Sequence, residues 1–420
     1  MKISVVGIGL DGVEGLSKSA KEIVERATVL AGSKRHLAYF SHSSAEKIYL
    51  TNLKTGIDAI AKLDLTKHSV VILASGDPLF FGIGRLLLAS FDAEQIQFYP
   101  HFSSVQLAFN RLKIPWQDAS LISVHGRSTD ELIKLFKQGK QKIAVLTDSN
   151  NNPAAIARLY QALDLPVEYN FYICENLGDT TENIQHFSAE QITQLSNLES
   201  NDFAALNVLI LLRQTQKDLN IDKLPLIGLP DSSFLSFSDR PSLITKKEIR
   251  LAILGELSLQ PKQTVWDIGA GTGSVSIEIA RLCPDSEVYA IEKTGMGSTL
   301  ITKNSQRFKV NNLHSINGKA PEVLLNLPQP DRIFIGGSGG NIIDILNTCS
   351  QKLKENGIIV MAFATIEYQY RAIDWLNNNS WQYRLLQLQI SRSTPISNLT
   401  RFTPLNPVTI ITAHKYFAGT

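Results

Sequence analysis

The chain has 420 residues, of which 44% are hydrophobic and 19% charged, and its formal net charge is +2. This length exceeds what one ordinary hydrophobic core holds, so we expect two globular domains of about 200 residues each. The small net charge creates no long-range field that would by itself attract nucleic acid.

The few cysteines and histidines exclude several kinds of site. Cys174, Cys283 and Cys349 lie far apart without a C-x-x-C motif, which excludes a disulfide framework or a zinc ribbon and favours a reducing cytoplasm. The eight histidines form no H-x-x-x-H pair, so we expect no metal. Met1-Lys2 leads directly into a strand pattern and no long apolar run exists, so we expect a cytoplasmic protein without signal peptide or membrane partner.

Short apolar runs alternate with helical patterns along the first half of the chain. Residues 17–27 read as an amphipathic helix, with Ile23, Val24 and Ala27 on one side. The predicted strands of this half are 3–9, 70–74, 96–99, 119–124, 142–147, 168–175 and 206–212. Alternation of strand and helix predicts parallel βαβ units and therefore an α/β fold.

Three loops of this half come directly after strands: Gly7-Ile8-Gly9, Gly76-Asp77-Pro78 and Ser103-Ser104. Ligands of open α/β sheets bind at the carboxyl ends of strands. Gly-Asp-Pro alone is more often a plain turn, and Asp77 could serve only to pin that turn through an Asx hydrogen bond. In this order, however, the three loops resemble the tetrapyrrole methylase fold, which has two α/β subdomains.

The resemblance covers residues 1–214 and implies a site for S-adenosylmethionine (SAM), held largely by backbone groups. The implied cofactor-binding residues are Gly7, Gly9, Gly76, Asp77, Pro78, Ser103 and Ser104. The first loop departs from the family pattern, since Leu10 stands where the family usually has proline.

Four further stretches resemble the branch of this family that methylates precorrins late in corrin-ring synthesis. They are His125-Gly126-Arg127, Leu146-Thr147-Asp148, Asn152-Pro153-Ala154-Ala155 and Glu175-Asn176-Leu177-Gly178. His125 could equally be a capped surface histidine, and Arg127 could be a solvated charge. Beyond this domain, residues 215–240 begin with a polar run, contain Pro225 and Pro230 and show no clear period, which predicts a linker.

The second half contains a glycine-rich turn, Asp267-Ile268-Gly269-Ala270-Gly271-Thr272-Gly273-Ser274, between an apolar run and a helical pattern. Its D-x-G-x-G-x-G spacing differs from the dinucleotide fingerprint, and the absence of Gly-Lys-Ser/Thr excludes a P-loop. The strand after that helix, 288–291, ends at Glu292, placed to accept hydrogen bonds from two ribose hydroxyls. Together these features resemble class I SAM methyltransferases.

The remaining elements complete a seven-stranded Rossmann-like sheet over residues 241–420. Thr245-Lys246-Lys247-Glu248 has the form of a capping box that starts a helix at 246–257. The other predicted elements are helices 296–309 and 365–377 and strands 313–316, 331–335, 357–363, 383–390 and 407–413.

This half also resembles the precorrin methyltransferases that decarboxylate the ring, above all in Gly336-Gly337-Ser338-Gly339-Gly340 after the fourth strand. The resemblance implies that SAM is bound by Thr245, Gly269, Ala270, Gly271, Thr272, Gly273, Glu292 and Ala320. Gly337, Ser338 and Gly339 are expected to bind the substrate, and Arg250, Arg401 and Lys319 are candidates for its carboxylates, although each could be a solvated charge. Ala362 departs from the family pattern, where asparagine is expected.

Two methyltransferase domains in this order resemble the bifunctional decarboxylating precorrin methyltransferases of cobalamin synthesis. The resemblance implies one SAM per domain, methylation of precorrin-6Y at carbons 5 and 15, and loss of carbon dioxide from the acetate on carbon 12, giving precorrin-8. A small-molecule tetrapyrrole is then the substrate, nucleic acid is not a partner, and we expect a homo-oligomer. The resemblance points to no catalytic acid or base, so the catalytic residues stay unknown.

Two alternatives remain open from the sequence. An RNA methyltransferase is one, since both folds have RNA-modifying relatives, although basic runs with neighbouring aromatics are lacking. The other is a SAM-binding regulator without turnover.

Overall fold

The computed structural model describes residues 2–214, 219–396 and 399–415. The chain divides into two compact units. Unit 1 comprises Met1–Leu132, Gln141–Ile156 and Tyr169–Leu212, and unit 2 comprises Ile133–Lys140, Ala157–Glu168 and Arg213–Thr420. Within the described residues, no helix is both long and apolar enough to cross a bilayer.

The first sheet of unit 1 has five strands, all paired in parallel, in the order β3-β2-β4-β1-β5. Its strands are β1 (Ile3–Ile8), β2 (Val29–Gly32), β3 (Glu46–Tyr49), β4 (Val70–Ser75) and β5 (Ile96–Tyr99). The helices that alternate with them are α1 (Lys18–Glu25), α2 (Lys34–Ala38), α3 (Leu53–Ala61) and α4 (Gly84–Ser90). Successive side chains of β1 enter different core clusters, since Val5 belongs to one and Val6 to another. Burial of both faces explains why the central strands β1 and β4 read as almost continuous apolar runs.

The second sheet of unit 1 is mixed, so the expectation of parallel units throughout this half is wrong. Its order is β6-β7-β10-β8-β9, and β7 pairs antiparallel with β10, as β8 does with β9. The short loop 176–182 between β8 and β9 leaves no room for a crossover helix. The strands are β6 (Ser120–Ser123), β7 (Lys142–Leu146), β8 (Glu168–Glu175), β9 (Asn183–Phe187) and β10 (Asn207–Gln214). The helices are α5 (Ser104–Leu112) and α8 (Ile192–Ser196), whereas α6 (Asp130–Lys137) and α7 (Pro153–Ala162) belong to unit 2 from Ile133 and Ala157 onward.

Unit 2 is built on a seven-stranded sheet with helices on both faces. Its strands are β11 (Thr264–Ile268), β12 (Glu287–Glu292), β13 (Leu313–Asn317), β14 (Arg332–Ile335), β15 (Ile358–Phe363), β16 (Trp381–Leu388), β17 (Ser391–Ile396), β18 (Leu399–Pro404) and β19 (Val408–Lys415). The sheet order is β13-β12-β11-β14-β15-β19-β16, and β17 and β18 form a separate hairpin. Strand β19 runs antiparallel to both neighbours, so the sheet is mixed.

The two faces of this sheet have separate cores. Val265 of β11 packs with α9 (Lys247–Leu257), α10 (Ser274–Leu282) and α11 (Gly295–Phe308), whereas the next residue, Trp266, packs with α12 (Ile342–Lys352) and α13 (Ile366–Asn378). Strand periodicity of two produces this division.

The predicted linker 215–240 packs against unit 2 over much of its described length, where Leu219 and Leu224 already contact the core. Residues 215–218 lie outside the described residues. Farther along, Leu229 and Phe234 are fully buried in the core of unit 2, and Asp231 between them is buried too. The sequence did not predict this packing, because isolated apolar residues in a segment without helical or strand periodicity do not indicate burial.

The predicted capping box at Thr245 is also absent. Helix α9 begins at Lys247, its N-cap is Lys246, and no side chain caps it. Glu248, the expected reciprocal partner, instead accepts a hydrogen bond of 2.7 Å from Nη2 of Arg392 on β17. A tertiary ion pair therefore replaces the local cap.

Candidate functional site

Unit 2 contains a cavity of about 810 Å³ at the carboxyl ends of its parallel strands. Loops after four of these strands line it: 269–272, 292–294, 318–320 and 336–339. This is the edge of an open α/β sheet where ligands bind, and the volume suits a small molecule.

The glycine turn after β11 exposes its backbone to this cavity. Gly269 and Gly271 have φ of +77° and +58°, which favour glycine. A Cβ on Gly269 would overlap the Gly337 carbonyl oxygen, whereas a Cβ on Gly271 would meet nothing within 4 Å. The first glycine therefore permits close packing of two loops, and the second leaves open space against the main chain.

Glu292, at the end of β12, is fixed beside this turn. Its Oε2 accepts a hydrogen bond of 3.1 Å from the Gly271 nitrogen, and its Oε1 accepts bonds of 2.9 and 2.8 Å from the nitrogen and Oγ1 of Thr294. The residue is 8% exposed and lines the cavity. A carboxylate is therefore held at the position where the sequence places a ribose contact.

The loop after β14 packs directly on the glycine turn. The nitrogens of Gly336 and Gly337 donate to the Ile268 carbonyl at 2.9 and 3.4 Å. Gly339 has a φ of +57°, and a Cβ there would lie 3.2 Å from Nζ of Lys293. Gly337 has no positive φ, and a Cβ there would meet only Gly269, at 3.9 Å. The sequence analysis treated the two glycines alike, but the structure separates them. Gly339 has a backbone conformation that favours glycine, whereas Gly337 does not.

Most residues predicted to form the site in this half line the cavity. Those that do are Thr245, Gly269, Ala270, Gly271, Thr272, Glu292, Lys319, Ala320, Gly337, Ser338 and Gly339. Gly273 and Arg401 are not among the lining residues in the described part of the chain. Ala362, where asparagine was expected, also lines it.

Arg250 cannot bind substrate, so that prediction is wrong. The side chain is 0% exposed and donates to Glu278 at 2.7 Å, to Asp231 at 2.6 Å, and to the carbonyls of Thr245 and Leu229. Sequence does not distinguish a buried, fully paired arginine from a surface arginine, because both can follow the same helical pattern.

Sequence reasoning missed several cavity residues. The hairpin β17–β18 and the residues after it contribute Arg392, Thr394, Thr403, Pro404, Leu405 and Asn406, and Lys246 contributes from the start of α9. The hairpin's polar strands carry no apolar alternation that would have predicted them.

Asp267 lies beneath the glycine turn and is almost completely buried. Its Oδ2 accepts hydrogen bonds from the nitrogen and Oγ of Ser276, and its Oδ1 has no partner within the described part of the chain. Burial, helped by the nearby charge of Glu292, raises the pKa of Asp267 to about 7 against the opposing effect of the Ser276 hydrogen bonds.

In unit 1, all three predicted loops come together, because β1 lies between β4 and β5 and a Cβ on Gly76 would lie 3.0 Å from the Cα of Ser103. A Cβ on Gly7 would overlap the Gly76 carbonyl oxygen and would lie 2.6 Å from the His101 nitrogen. That nitrogen donates to the Gly76 carbonyl at 3.2 Å, and Gly76 itself has a φ of +57°. The strand-end backbones therefore meet without intervening side chains.

The polar residues of these loops mainly hold their own backbone. Oδ1 of Asp77 accepts a 2.9 Å hydrogen bond from the Leu79 nitrogen, which is the Asx turn weighed from the sequence. Ser103 caps α5 in a capping box with Gln106, and Ser104 is the first residue of that helix. A contact between these side chains and a cofactor stays a prediction.

Two of the stretches matched to precorrin methylation also meet. Nδ1 of His125 donates to the Thr147 carbonyl at 3.0 Å, and the Gly126 nitrogen donates to Asp148 at 2.7 Å. The Arg127 guanidinium lies 5.6 Å from the ring centre of Phe81. His125 is thus held by the neighbouring strand end, and Arg127 packs on an aromatic ring.

Both units gather glycine-containing loops at the carboxyl ends of parallel strands, as enzymes of nucleotide-like cofactors do. Residues 2–193 match the family model of tetrapyrrole (corrin/porphyrin) methylases, and residues 237–415 match that of the precorrin methyltransferase domain. The fold and the matches to these two family models together show that the chain joins two methyltransferase domains.

Two relatives match this chain along almost its whole length, and a third matches less than half of it. A Sinorhizobium sp protein named precorrin-6Y C(5,15)-methyltransferase (decarboxylating) is 31% identical over 97% of this chain and 95% of its own. A Mycobacterium tuberculosis (strain ATCC 25618 / H37Rv) protein of that name is 28% identical over 97% of this chain and 98% of its own. A Pyrobaculum aerophilum protein named probable cobalt-precorrin-6B C(15)-methyltransferase (decarboxylating) is 36% identical over 44% of this chain and 95% of its own. The chain belongs to the precorrin-6Y C(5,15)-methyltransferase (decarboxylating) family and is a SAM-dependent methyltransferase.

The burial of Asp267 predicts a pH dependence of stability. Its folded-state pKa, about 7, exceeds the ordinary 3.8, so the folded state holds this proton more tightly than the unfolded state. The group therefore lowers the free energy of unfolding as pH rises between about 4 and 7, by at most about 1.4 kcal/mol per pH unit. Asp267→Asn should remove that decline, measured by urea unfolding followed through tryptophan fluorescence. Asp285→Asn, at an exposed position, is the control, and a decline that persists in Asp267→Asn would show that the carboxyl is ionised when folded.

Gly337 and Gly339 should respond differently to added side chains. Gly337→Ala should leave the melting temperature and SAM affinity unchanged but reduce tetrapyrrole turnover, because its Cβ makes only ordinary contact and occupies the cavity. Gly339→Val should destabilise the protein by about 1–3 kcal/mol, since a β-branched residue is strained at positive φ. Gly255→Ala in α9 is the control, because a Cβ there meets nothing. Full turnover by a folded Gly337→Ala variant would exclude this loop as a substrate surface.

Proposed function

We propose that this protein methylates precorrin-6Y at carbons 5 and 15 and removes carbon dioxide from the acetate on carbon 12, giving precorrin-8. The observation that carries this proposal is the likeness, over 97% of the chain, to the Sinorhizobium protein named for both methylations and the decarboxylation. The cavity formed by four strand-end loops supplies a site for such chemistry in unit 2.

The two activities are assigned to the two halves. Residues 1–214 form the tetrapyrrole methylase domain, which methylates carbon 5. Residues 241–420 form a Rossmann-like class I domain, which methylates carbon 15 and decarboxylates the ring. Residues 215–240 join the two domains, and from Leu219 onward this segment packs on the second domain. Each domain binds its own SAM; we further propose a cytoplasmic homo-oligomer.

In the second domain, main-chain groups of the glycine turn and the carboxylate of Glu292 would form the SAM site. The open space above Gly271 admits a ligand against the main chain, so the residues present fit the cofactor. Thr245, residues 269–273 and Ala320 would surround it, and Glu292 would accept the ribose hydroxyls. In the first domain, Gly7, Gly9, Gly76 and the residues after β5 would serve in the same way.

The chain's own contribution to the chemistry is positioning. SAM brings a methyl group that is already activated as a sulfonium, and the nucleophile is an electron-rich carbon of the substrate. The protein therefore needs to hold the two in line rather than to supply a nucleophile, and such alignment alone accounts for large accelerations. The conjugated ring takes up the electrons released by decarboxylation.

The direct test is the product formed by the full-length protein. Incubated anaerobically with precorrin-6Y and SAM, it should give a product with two added methyl groups and one carbon dioxide less, by mass spectrometry. Gly7→Ala should yield the decarboxylated product with a single added methyl, because its Cβ would displace the Gly76 loop in unit 1 only. Ser4→Ala, on the same strand, is the control. Loss of all activity in a folded Gly7→Ala variant would contradict the division between domains.

Glu292→Ala should impair the second domain through SAM affinity. Loss of charged hydrogen bonds worth about 1.5–3 kcal/mol each should weaken SAM binding roughly ten- to a hundredfold per bond. Methylation of carbon 5 should survive when the substrate is supplied already decarboxylated. Glu287→Ala, at the other end of β12, should leave both reactions unchanged. Calorimetry measures the affinity, and an unaltered value at the second-domain site would mean that the ribose is held elsewhere.

A further inference from the structure

The cavity of unit 2 is lined by far more positive than negative charge. Among the described residues, Glu292 is its single lining carboxylate, and that group is already engaged by Gly271 and Thr294. Six cationic side chains line it: Lys137, Arg240, Lys246, Lys293, Lys319 and Arg392. In a chain with a net charge of only +2, this concentration marks the cavity as a site for a polyanion.

Two of the six cations differ from the others in burial. Lys246 and Arg392 are only partly exposed. The other four are exposed, as residues at the rim of a cavity are: Lys137, Arg240, Lys293 and Lys319. Charges removed from bulk water interact more strongly with a ligand than charges at a solvated rim. Lys246 and Arg392 are therefore the two cations most able to select an anionic group.

Lys246 has no carboxylate partner of its own. Its Nζ donates to the Ser242 carbonyl at 3.0 Å, and none of the ion pairs among the described residues includes it. Burial lowers the pKa of Lys246; Arg392 and Lys137 lower it further, while Asp231 and Asp164 oppose the shift from beyond ion-pair distance. An ammonium group has three donors, so further donors remain for a ligand.

Arg392 is held firmly beside the cavity. Its Nε and Nη2 donate to the two oxygens of Glu248 at 3.0 and 2.7 Å, and Nη2 also donates to Asp231 at 3.1 Å. Nη1 takes part in none of these bonds. Neither carboxylate lines the cavity, so both hold the guanidinium from outside it.

The backbone beneath Lys246 is fixed as well. Buried Arg250 donates to the Thr245 carbonyl at 2.6 Å and shares Asp231 with Arg392. The two cations therefore belong to one rigid wall of the cavity, and a preorganised wall binds a ligand at lower entropic cost.

We propose that Lys246, supported by Arg392, binds one carboxylate of the tetrapyrrole in the second domain. This rests on the proposed function, in which the substrate is a polycarboxylate. An ammonium that is desolvated and unpaired gains most from an incoming anion, and a charge-assisted hydrogen bond is stronger than a neutral one. Lys246 thereby sets the orientation of the ring above the glycine loops.

The test uses Lys246→Met in the full-length protein. The KM for precorrin-6Y in the carbon-15 reaction should rise roughly ten- to a hundredfold, the equivalent of one charged hydrogen bond. SAM affinity and the ratio of methylation to carbon dioxide release should not change. The melting temperature should not fall, because the substitution removes a buried charge that has no ion-pair partner. Lys246→Arg should recover most of the affinity, and Lys247→Met, at the adjacent lysine that does not line the cavity, should behave like wild type.

Three results would overturn the proposal. Weakened SAM binding would show that Lys246 pairs with the methionine carboxylate of the cofactor. Methylation without carbon dioxide release would make the residue a proton donor in decarboxylation. An unchanged KM would show that it binds no substrate group. Each presupposes that wild type converts precorrin-6Y; if wild type does not, the proposed function fails instead.

Discussion

The close approach of two backbones at the ends of neighbouring parallel strands is the constraint on which both units depend. In unit 2 the loop after β11 touches the loop after β14, and a side chain on Gly269 would overlap Gly337. In unit 1 the same contact joins Gly7 and Gly76. In two sheets of different topology, glycine at the strand ends therefore allows neighbouring loops to pack closely.

The part of unit 2 that supports Lys246 and Arg392 is organised by charge rather than by glycine. Asp231 and Glu278 are fully buried and pair with Arg250, and Asp231 also pairs with Arg392 of the hairpin. Breaking such a buried pair is costly, because it leaves a charge without a partner. The cluster thereby ties four parts of the chain that are distant in sequence: the segment around Asp231, helices α9 and α10, and the β17–β18 hairpin.

Much of the architecture was predictable because it depends on local pattern. Most strands of both parallel arrays are apolar runs, and the glycine-containing loops follow several of those runs directly. The antiparallel part of the second sheet was less predictable, because an apolar strand such as β10 shows the same pattern whichever way its neighbour runs. Strands β17 and β18 were missed since they are polar and pair only with each other.

By itself the sequence determined the two-domain organisation, the family resemblance and the loops after β11, β12 and β14 that line the cavity, because backbone conformation at a strand end depends on adjacent residues. Only the tertiary structure decided the roles of the charged residues. Arg250, expected at the substrate, is buried in an ion cluster, whereas Lys246 and Arg392 line the cavity. The free energy of a charge depends on its solvation and on its partners, and both are set by parts of the chain that lie far away in sequence.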